Sequence, residues 1–158
     1  MSYARESALV ATPIGMVRIE GDEHVVTRIA IERERSAPRR ADAPAVLAAA
    51  EQLEAFFEGQ LKAFDLALDP ARTPRGQALR DGLIAVGFGE TLSYGALAKL
   101  LGSGPRAIGQ LCARNPYPIV VPCHRVLATG GLGHYSAGDG VATKQWLLEH
   151  ERRIGAHA

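Results

Sequence analysis

Residues 93–113 read SYGALAKLLGSGPRAIGQLCA, and this stretch predicts two short helices joined by a tight Gly-Ser-Gly turn. Ser93 is a good N-cap for a first helix over residues 94–101, because its hydroxyl can accept from an unpaired backbone N–H. Pro105 suits the first position of a second helix that runs to about residue 113. We expect three leucines of the first helix to face inward: Leu97, Leu100 and Leu101. Such a pair is typical of a DNA-binding helix-turn-helix or of an αα-hairpin within a core.

The first third of the chain predicts strands. Residues 8–11 are apolar and precede a turn, residues 16–20 alternate apolar and polar, and residues 24–31 follow a second turn. This pattern indicates an antiparallel meander with one covered face. Residues 64–68 alternate in the same way and predict a further short strand. The Arg/Pro/Ala-rich residues 33–44 predict a mobile connection.

Further helices are predicted over residues 46–57 and 77–86. The first has an apolar stripe and a Gly after its end, both typical of an amphipathic helix. The stripe consists of Leu47, Ala50, Leu53, Ala55 and Phe57. Together these elements predict an α+β protein with two domains, residues 1–72 and 73–158. The boundary is expected in residues 69–75, which are rich in Pro and small side chains.

Composition is that of a globular chain, with 47% hydrophobic and 22% charged residues among 158. The start of the chain lacks the apolar stretch of a signal peptide, and no run approaches the ~20 residues that cross a bilayer. Cys112 and Cys123 are the two cysteines, too few for a disulfide framework or a cysteine-based metal site. We therefore expect a cytoplasmic protein without a metal.

The charge is unevenly distributed. Residues 1–72 carry nine Lys/Arg against twelve Asp/Glu, and residues 73–158 carry nine against five. The two halves, at −3 and +4, return the net charge of +1. A basic second half can attract phosphates, although scattered solvated charge explains the same counts.

The motif Val121-Pro122-Cys123-His124-Arg125 carries the chemistry. A free thiol is mostly protonated near neutral pH, and only its thiolate is a good nucleophile. An imidazole beside the thiol, oriented by a carboxylate from elsewhere, is a recurring way to activate it. We therefore expect Cys123 to be a nucleophile and His124 its base, acting through water. Cys112 is expected to be a small buried hydrophobe beside Ile108 and Leu111.

The ordered motifs along the chain resemble the O6-alkylguanine-DNA alkyltransferase family. They are Thr91-Leu92-Ser93-Tyr94-Gly95-Ala96-Leu97-Ala98, Arg106-Ala107-Ile108-Gly109, Asn115-Pro116, Val121 to Val126, Gly131-Leu132-Gly133-His134-Tyr135-Ser136, and Lys144-Gln145-Trp146-Leu147-Leu148 with Glu151. Upstream, residues 52–59 and 64–66 match as well. The resemblance implies a ribonuclease-H-like N-terminal domain and a C-terminal domain with a winged-helix-like helix-turn-helix.

The resemblance also implies a reaction. Cys123 would take an alkyl group, typically methyl, from the O6 atom of guanine in DNA, irreversibly and once per molecule. His124 and Glu151 would form a proton relay for Cys123. The residues alone make the neighbouring Glu149 an equal candidate, and only the Leu147-Leu148-x-x-Glu151 match selects Glu151. Tyr94 would assist the leaving guanine and turn the nucleotide's phosphate. Lys144 is expected to be a surface or helix-capping charge.

The remaining roles follow from the same resemblance. The nucleotide would be flipped out through the minor groove, with Arg106 filling the gap in the base stack. The residues implied to contact DNA are Tyr94, Arg106, Ala107, Gly109 and Arg125. The residues implied to form the substrate pocket are Asn115, Pro122, Val126, Gly133, Tyr135 and Ser136. No cofactor, no membrane and no particular DNA sequence is implied, and a monomer is expected.

Three alternatives stay open at this point. An alkyltransferase-like protein would bind alkylguanine without repairing it, but would lack the reactive cysteine. A cysteine hydrolase could use Cys123 and His124, although such enzymes usually draw their histidine from distant sequence. A helix-turn-helix regulator would bind a defined operator.

Overall fold

The computed structural model describes residues 4–156. Residues 1–3, on which part of the signal-peptide prediction rests, and residues 157–158 lie outside the described residues. The chain forms two compact units, one ending at Asp69 and the next beginning at Pro70. The α+β class is confirmed, since the first unit holds a small antiparallel sheet and the second is mainly helical. The domain limits 1–72 and 73–158 stay a prediction.

The first unit is built on a three-stranded antiparallel sheet. Strands β1 (Glu6–Thr12), β2 (Gly15–Gly21) and β3 (Val26–Glu32) lie in the order β1-β2-β3. Gly15 closes the β1–β2 hairpin at φ 120, where a Cβ atom would lie 2.5 Å from the Glu32 carbonyl oxygen. The turn therefore requires glycine at this position.

Helix α1 (Pro44–Phe57) covers this sheet. Its buried stripe is Val46, Ala49, Ala50, Leu53 and Phe56. The predicted stripe was partly wrong, because Leu47, Ala55 and Phe57 are only half-buried. Ala49, Ala50 and Leu53 follow Val46 by three, four and seven positions, a spacing that keeps one face of the helix on the core.

Two predictions for this unit are wrong. Residues 64–68 form no strand and make only a bridge between Leu68 and Val26. The Gln52 amide bonds both the backbone N–H and the carbonyl of Asp65, so local side-chain bonds satisfy the backbone that a strand would pair. The predicted mobile connection is anchored at Arg39, whose backbone exchanges hydrogen bonds of 2.8 and 3.0 Å with Leu9.

The second unit carries four helices among the described residues. They are α2 (Pro74–Ile84), α3 (Tyr94–Leu100), α4 (Pro105–Ala113) and α5 (Val141–Ala156). Two short strands, β4 (Leu92–Ser93) and β5 (Val126–Leu127), pair in parallel. A 3-10 helix, Cys123–Arg125, leads directly into β5 and packs against α5.

Helices α3 and α4 form the predicted pair. The Ser93 hydroxyl accepts from Ala96 N–H at 3.0 Å and caps α3, and Pro105 opens α4. Leu97 is fully buried, but the prediction for Leu100 is wrong, because 72% of that residue is exposed. The β4–β5 pairing places the start of α3 beside the 3-10 helix, so Tyr94 and Cys123 come to the same region.

Candidate active site

A braced turn delivers the candidate nucleophile. The Asn115 side chain accepts from Tyr117 N–H at 2.9 Å and donates to the Val121 carbonyl at 2.9 Å. Ile119 lies in this turn at φ 77, a left-handed conformation that β-branched residues rarely adopt. The strain is held by burial, since Ile119 is 1% exposed. The turn thus fixes the backbone that enters the 3-10 helix.

Cys123 begins that 3-10 helix and lies at a cavity of about 130 Å³. This volume exceeds the roughly 10–15 Å³ that one water molecule requires. The cavity is lined by Tyr94, Gly109, Cys112, Ala113, Cys123, His134, Tyr135 and Ser136. Only 4% of Cys123 is exposed, but its thiol faces a space that a small substrate group can enter.

The predicted pocket residues fall into two sets. Tyr135 and Ser136 line the cavity, whereas Asn115 lies behind the nucleophile and donates to the Cys123 sulfur at 3.3 Å. Pro122 and Val126 are buried and lie outside the lining set, so their assignment to the pocket wall is corrected. Gly133 also lies outside it, at φ 78, where a Cβ atom would approach the Tyr94 ring to 3.5 Å.

Cys112 is buried, as predicted, with 9% of the residue exposed. It also lies on the cavity wall, a place that was not predicted. The signal was available in the sequence, because Gly109 and Cys112 are three residues apart and share one face of α4. Cys112 therefore belongs to the candidate site as well as to the core.

The surroundings of Cys123 favour its protonated thiol. Its interaction with the Cys112 thiol, together with burial, raises the pKa of Cys123 well above its ordinary value of 9.0. The Asn115 amide acts in the opposite direction but does not outweigh them. An attack by this sulfur would therefore need a base to take its proton.

Glu151 is the carboxylate that orients His124. His124 Nε2 and Glu151 Oε2 are 2.6 Å apart, and both side chains are almost fully buried. Burial opposes ionisation of Glu151, but hydrogen bonds from His124 and Arg125 outweigh it and lower its pKa to about 2. Glu149, the alternative that the residues alone left open, is exposed and bonds Gln145.

An ionised carboxylate accepts but cannot donate, so Nε2 of His124 carries the shared hydrogen. Burial lowers the pKa of His124 from 6.5, although Glu151 acts in the opposite direction. The ring is therefore neutral near pH 7, with its lone pair on Nδ1. This Nδ1 atom is buried without a hydrogen-bond partner among the described residues, which leaves it free to accept a proton.

The prediction that Arg125 contacts DNA is wrong. Its side chain is 6% exposed and forms two parallel 2.9 Å bonds with the Glu151 carboxylate. A third bond, of 2.7 Å, runs from Nη1 to the Val86 carbonyl. A guanidinium committed in this way holds the relay carboxylate and has no free edge for a phosphate.

Lys144 is buried, so the prediction of a surface charge is wrong. Its ammonium donates to the Val126 carbonyl at 2.7 Å and the His134 carbonyl at 3.2 Å. It also lies 5.9 Å from the centre of the Tyr94 ring. Lys144 therefore ties α5 to the strand after the nucleophile and to the loop that carries Tyr135 and Ser136.

Two tyrosines contribute hydroxyl groups. Burial raises the pKa of Tyr94 to about 12, so its hydroxyl keeps its proton and can donate it. Burial also raises the pKa of Tyr135, whose hydroxyl has no hydrogen-bond partner within residues 4–156. Both residues line the cavity around Cys123.

Helix α4 presents the residues implied to meet DNA. Arg106 is exposed in its first turn, and Ala107 beside it is half-buried. A Cβ atom at Gly109 would meet nothing within 4 Å, so glycine is not required there by packing. Its lack of a side chain instead leaves the cavity wall open.

Across residues 4–156, no helix is long and apolar enough to cross a bilayer. In the same part of the chain, no group of three or more His, Cys, Asp or Glu side chains is placed to hold a metal ion.

Comparisons with known proteins agree with this architecture. The family model described as 6-O-methylguanine DNA methyltransferase, DNA binding domain, matches residues 76–153. A methylated-DNA–protein-cysteine methyltransferase of Mycobacterium tuberculosis is 37% identical over 150 residues, covering 90% of both chains. A protein of the same name from Methanosarcina acetivorans is 35% identical over 152 residues, covering 91% of this chain and 96% of its own.

Solved structures extend the similarity to the fold. The crystal structure of Mycobacterium tuberculosis O6-methylguanine methyltransferase has a TM-score of 0.80 and 33% identity, covering 96% of this chain and 94% of that one. A Mycobacterium tuberculosis structure in complex with DNA has a TM-score of 0.79 and 35% identity, with coverages of 94% and 93%. Fold and site define an α+β protein with a cysteine at a cavity beside a helix-turn-helix. The chain belongs to the methylated-DNA–protein-cysteine methyltransferase family, which confirms the resemblance.

Lys144→Met tests the structural role of the buried ammonium. The change keeps most of the side-chain volume but removes both donors, which leaves the buried Val126 carbonyl unpaired. We expect the free energy of unfolding to fall by about 1–3 kcal/mol in urea titrations. The control is Gln145→Met on the exposed face of α5, expected to stay within about 0.5 kcal/mol of the parent protein. Equal effects of the two changes would refute this role.

Proposed function

We propose that this protein repairs DNA by transferring an alkyl group from the O6 atom of guanine to the sulfur of Cys123. The main support is the buried relay of His124 and Glu151 next to a cysteine that faces an open cavity. Family membership supports the same reaction, because the relatives are named as methyltransferases that act on methylated DNA and a protein cysteine.

Activation begins with the neutral imidazole. In the proposed step, His124 Nδ1 accepts the Cys123 proton, through a water molecule, as the sulfur attacks the alkyl carbon. The charge of Glu151 stabilises the imidazolium that forms, which offsets the cost of a buried cation. Proton transfer at the moment of attack explains how a thiol with a raised pKa can react.

The leaving group is the guanine. A carbon–sulfur bond forms while the carbon–oxygen bond breaks in line, and the base departs as an anion that needs a proton. Burial raises the pKa of Tyr94 to about 12, so its hydroxyl is protonated and donates to that anion. Ser136 and nearby backbone groups contact the guanine oxygen. The product thioether has no easy leaving group, so each molecule acts once.

Access to the site requires an extruded nucleotide, since a base inside a duplex cannot reach Cys123. We place α4 in the minor groove, where the small Ala107 and Gly109 allow close approach. Arg106, exposed at the start of α4, fills the gap left in the base stack. Binding through the backbone and groove shape would give little sequence preference and a strong dependence on salt.

The setting proposed for this reaction is the cytoplasm, with the protein acting as a monomer on double-stranded DNA. Two free thiols at the site favour a reducing compartment. The proposed chemistry uses no cofactor. An alkyltransferase-like binding protein is the alternative, and it would hold the alkylated base without taking its alkyl group.

The transfer itself is tested by mass spectrometry. After incubation with DNA that contains O6-methylguanine, the intact protein is expected to gain one methyl group, carried by the Cys123 peptide. Cys123→Ser is the control and should bind the DNA without gaining mass. Retention on methylated DNA with an unmodified Cys123 would favour the binding protein and refute repair.

Arg106→Ala tests the gap-filling role. We expect repair of duplex DNA to slow about tenfold to a hundredfold, because extrusion costs a few kcal/mol that the side chain no longer offsets. Transfer from free alkylguanine base, which needs no extrusion, should be almost unchanged. The matched control is Arg114→Ala, an exposed arginine just beyond α4. Equal losses on duplex and free base would contradict the role.

The pH dependence of transfer tests the base. The neutral form of His124 persists as pH falls to 6.5, because its pKa is lowered from that value. The Cys123 thiol stays protonated up to pH 9.0, because its pKa is raised above that value. Single-turnover rates should therefore form a plateau between pH 6.5 and 9.0. A rate that climbs in proportion to hydroxide would show that solvent, and not His124, removes the proton.

A further inference from the structure

Cys112 and Cys123 form a pair that the proposed repair reaction does not require. They are the only two cysteines in the 158-residue sequence, and both line the same cavity. Each thiol shifts the pKa of the other, although eleven positions separate them in the chain. A nucleophile thus has a second thiol within reach on the opposite side of a loop.

The loop holds the two cysteines together through one residue. The Asn115 backbone N–H donates to the Cys112 carbonyl at 3.3 Å, and its side chain donates to the Cys123 sulfur at 3.3 Å. The same amide fixes the Val121 carbonyl at 2.9 Å. Cys112 lies in the last turn of α4 and Cys123 opens the 3-10 helix, so the braced turn joins the two elements that carry them.

We propose that Cys112 and Cys123 form a redox-active dithiol, a modification site for hydrogen peroxide and small organic peroxides. Oxidation closes the pair to an intramolecular disulfide. Both sulfurs belong to the lining of the same cavity, and disulfide formation brings them to roughly 2.05 Å. A cavity with room for a small molecule gives peroxide access to both sulfurs.

The chemistry balances in two steps. The Cys112 thiolate attacks the peroxide oxygen, the O–O bond breaks, and the products are a sulfenic acid and water once the departing oxygen is protonated. The Cys123 sulfur then attacks the sulfenic sulfur, forms the S–S bond, and releases a second water with its own proton. Two thiols lose two electrons, and the peroxide accepts them.

The order of attack follows from the two environments. The interaction with the Cys123 thiol lowers the pKa of Cys112, and the positive charge of Lys144 acts in the same direction. The pKa of Cys123 is raised. The thiolate fraction, and with it the reactivity toward peroxide, is therefore larger at Cys112. Cys123 serves as the resolving thiol.

The consequence for repair rests on the proposed function. A disulfide removes the nucleophile from use while keeping it recoverable, because thiol reductants reverse a disulfide but not a sulfinic or sulfonic acid. Cys112 would thus make an alkyl acceptor that works only once reversibly sensitive to peroxide.

The test is performed on reduced protein that has never met DNA. The protein is treated with hydrogen peroxide, denatured in N-ethylmaleimide and measured by intact mass and peptide mapping without reductant. We expect the monomer to lose two hydrogen atoms, to take up no maleimide, and to yield one linked pair of peptides containing Cys112 and Cys123. Dithiothreitol should restore two maleimide sites. Free thiols, a disulfide between two molecules, or sulfinic acid at Cys123 as the main product would each overturn the proposal.

Cys112→Ser provides the functional comparison. Each protein is compared with its own unoxidised sample in the methyl transfer assay. Parent protein should lose transfer with peroxide and regain it with dithiothreitol, whereas Cys112→Ser, which lacks the more reactive thiol, should keep most of its transfer at the same peroxide dose. Failure of the unoxidised parent to take up a methyl group would refute the proposed function but leave the disulfide test intact. Equal loss of transfer in Cys112→Ser would contradict the assignment of Cys112 as the thiol that peroxide attacks first.

Discussion

A buried carboxylate with four hydrogen bonds holds the second unit's site together. The two oxygens of Glu151 accept from His124, from Nε and Nη2 of Arg125, and from Gly89 N–H at 3.1 Å. These contacts join α5, the 3-10 helix and the loop after α2. An isolated buried charge would be costly, but paired and hydrogen-bonded in this way it stays ionised. Its ionisation in turn fixes which imidazole nitrogen of His124 carries the hydrogen.

This constraint reconciles two features that would otherwise conflict. The Cys123 thiol has a raised pKa, so the resting protein does not carry a standing thiolate that any electrophile could consume. In the proposed reaction, His124 would activate the sulfur only when a substrate is in line for attack. If each molecule transfers one alkyl group, as proposed, this arrangement avoids a wasted reaction.

Local patterns in the sequence predicted much of this structure. Ser93 and Pro105 set the starts of α3 and α4, and the adjacent Cys123 and His124 marked the part of the chain where the cavity and the buried carboxylate lie. Burial was harder to predict, because it depends on contacts between distant segments. Arg125 and Lys144 have the composition of surface residues, yet each is buried against carbonyls or a carboxylate from another element. Cys112 was missed because its helix face was assigned to the core and not to the cavity.

The central claim is that Glu151 holds His124 as a neutral imidazole with its hydrogen on Nε2. Nitrogen-15 NMR of histidine-labelled protein measures this directly, with the His124 signals assigned by their loss in His124→Asn. At neutral pH the account predicts a protonated Nε2 and an unprotonated Nδ1. An imidazolium at that pH, or a neutral ring with its hydrogen on Nδ1, would contradict it.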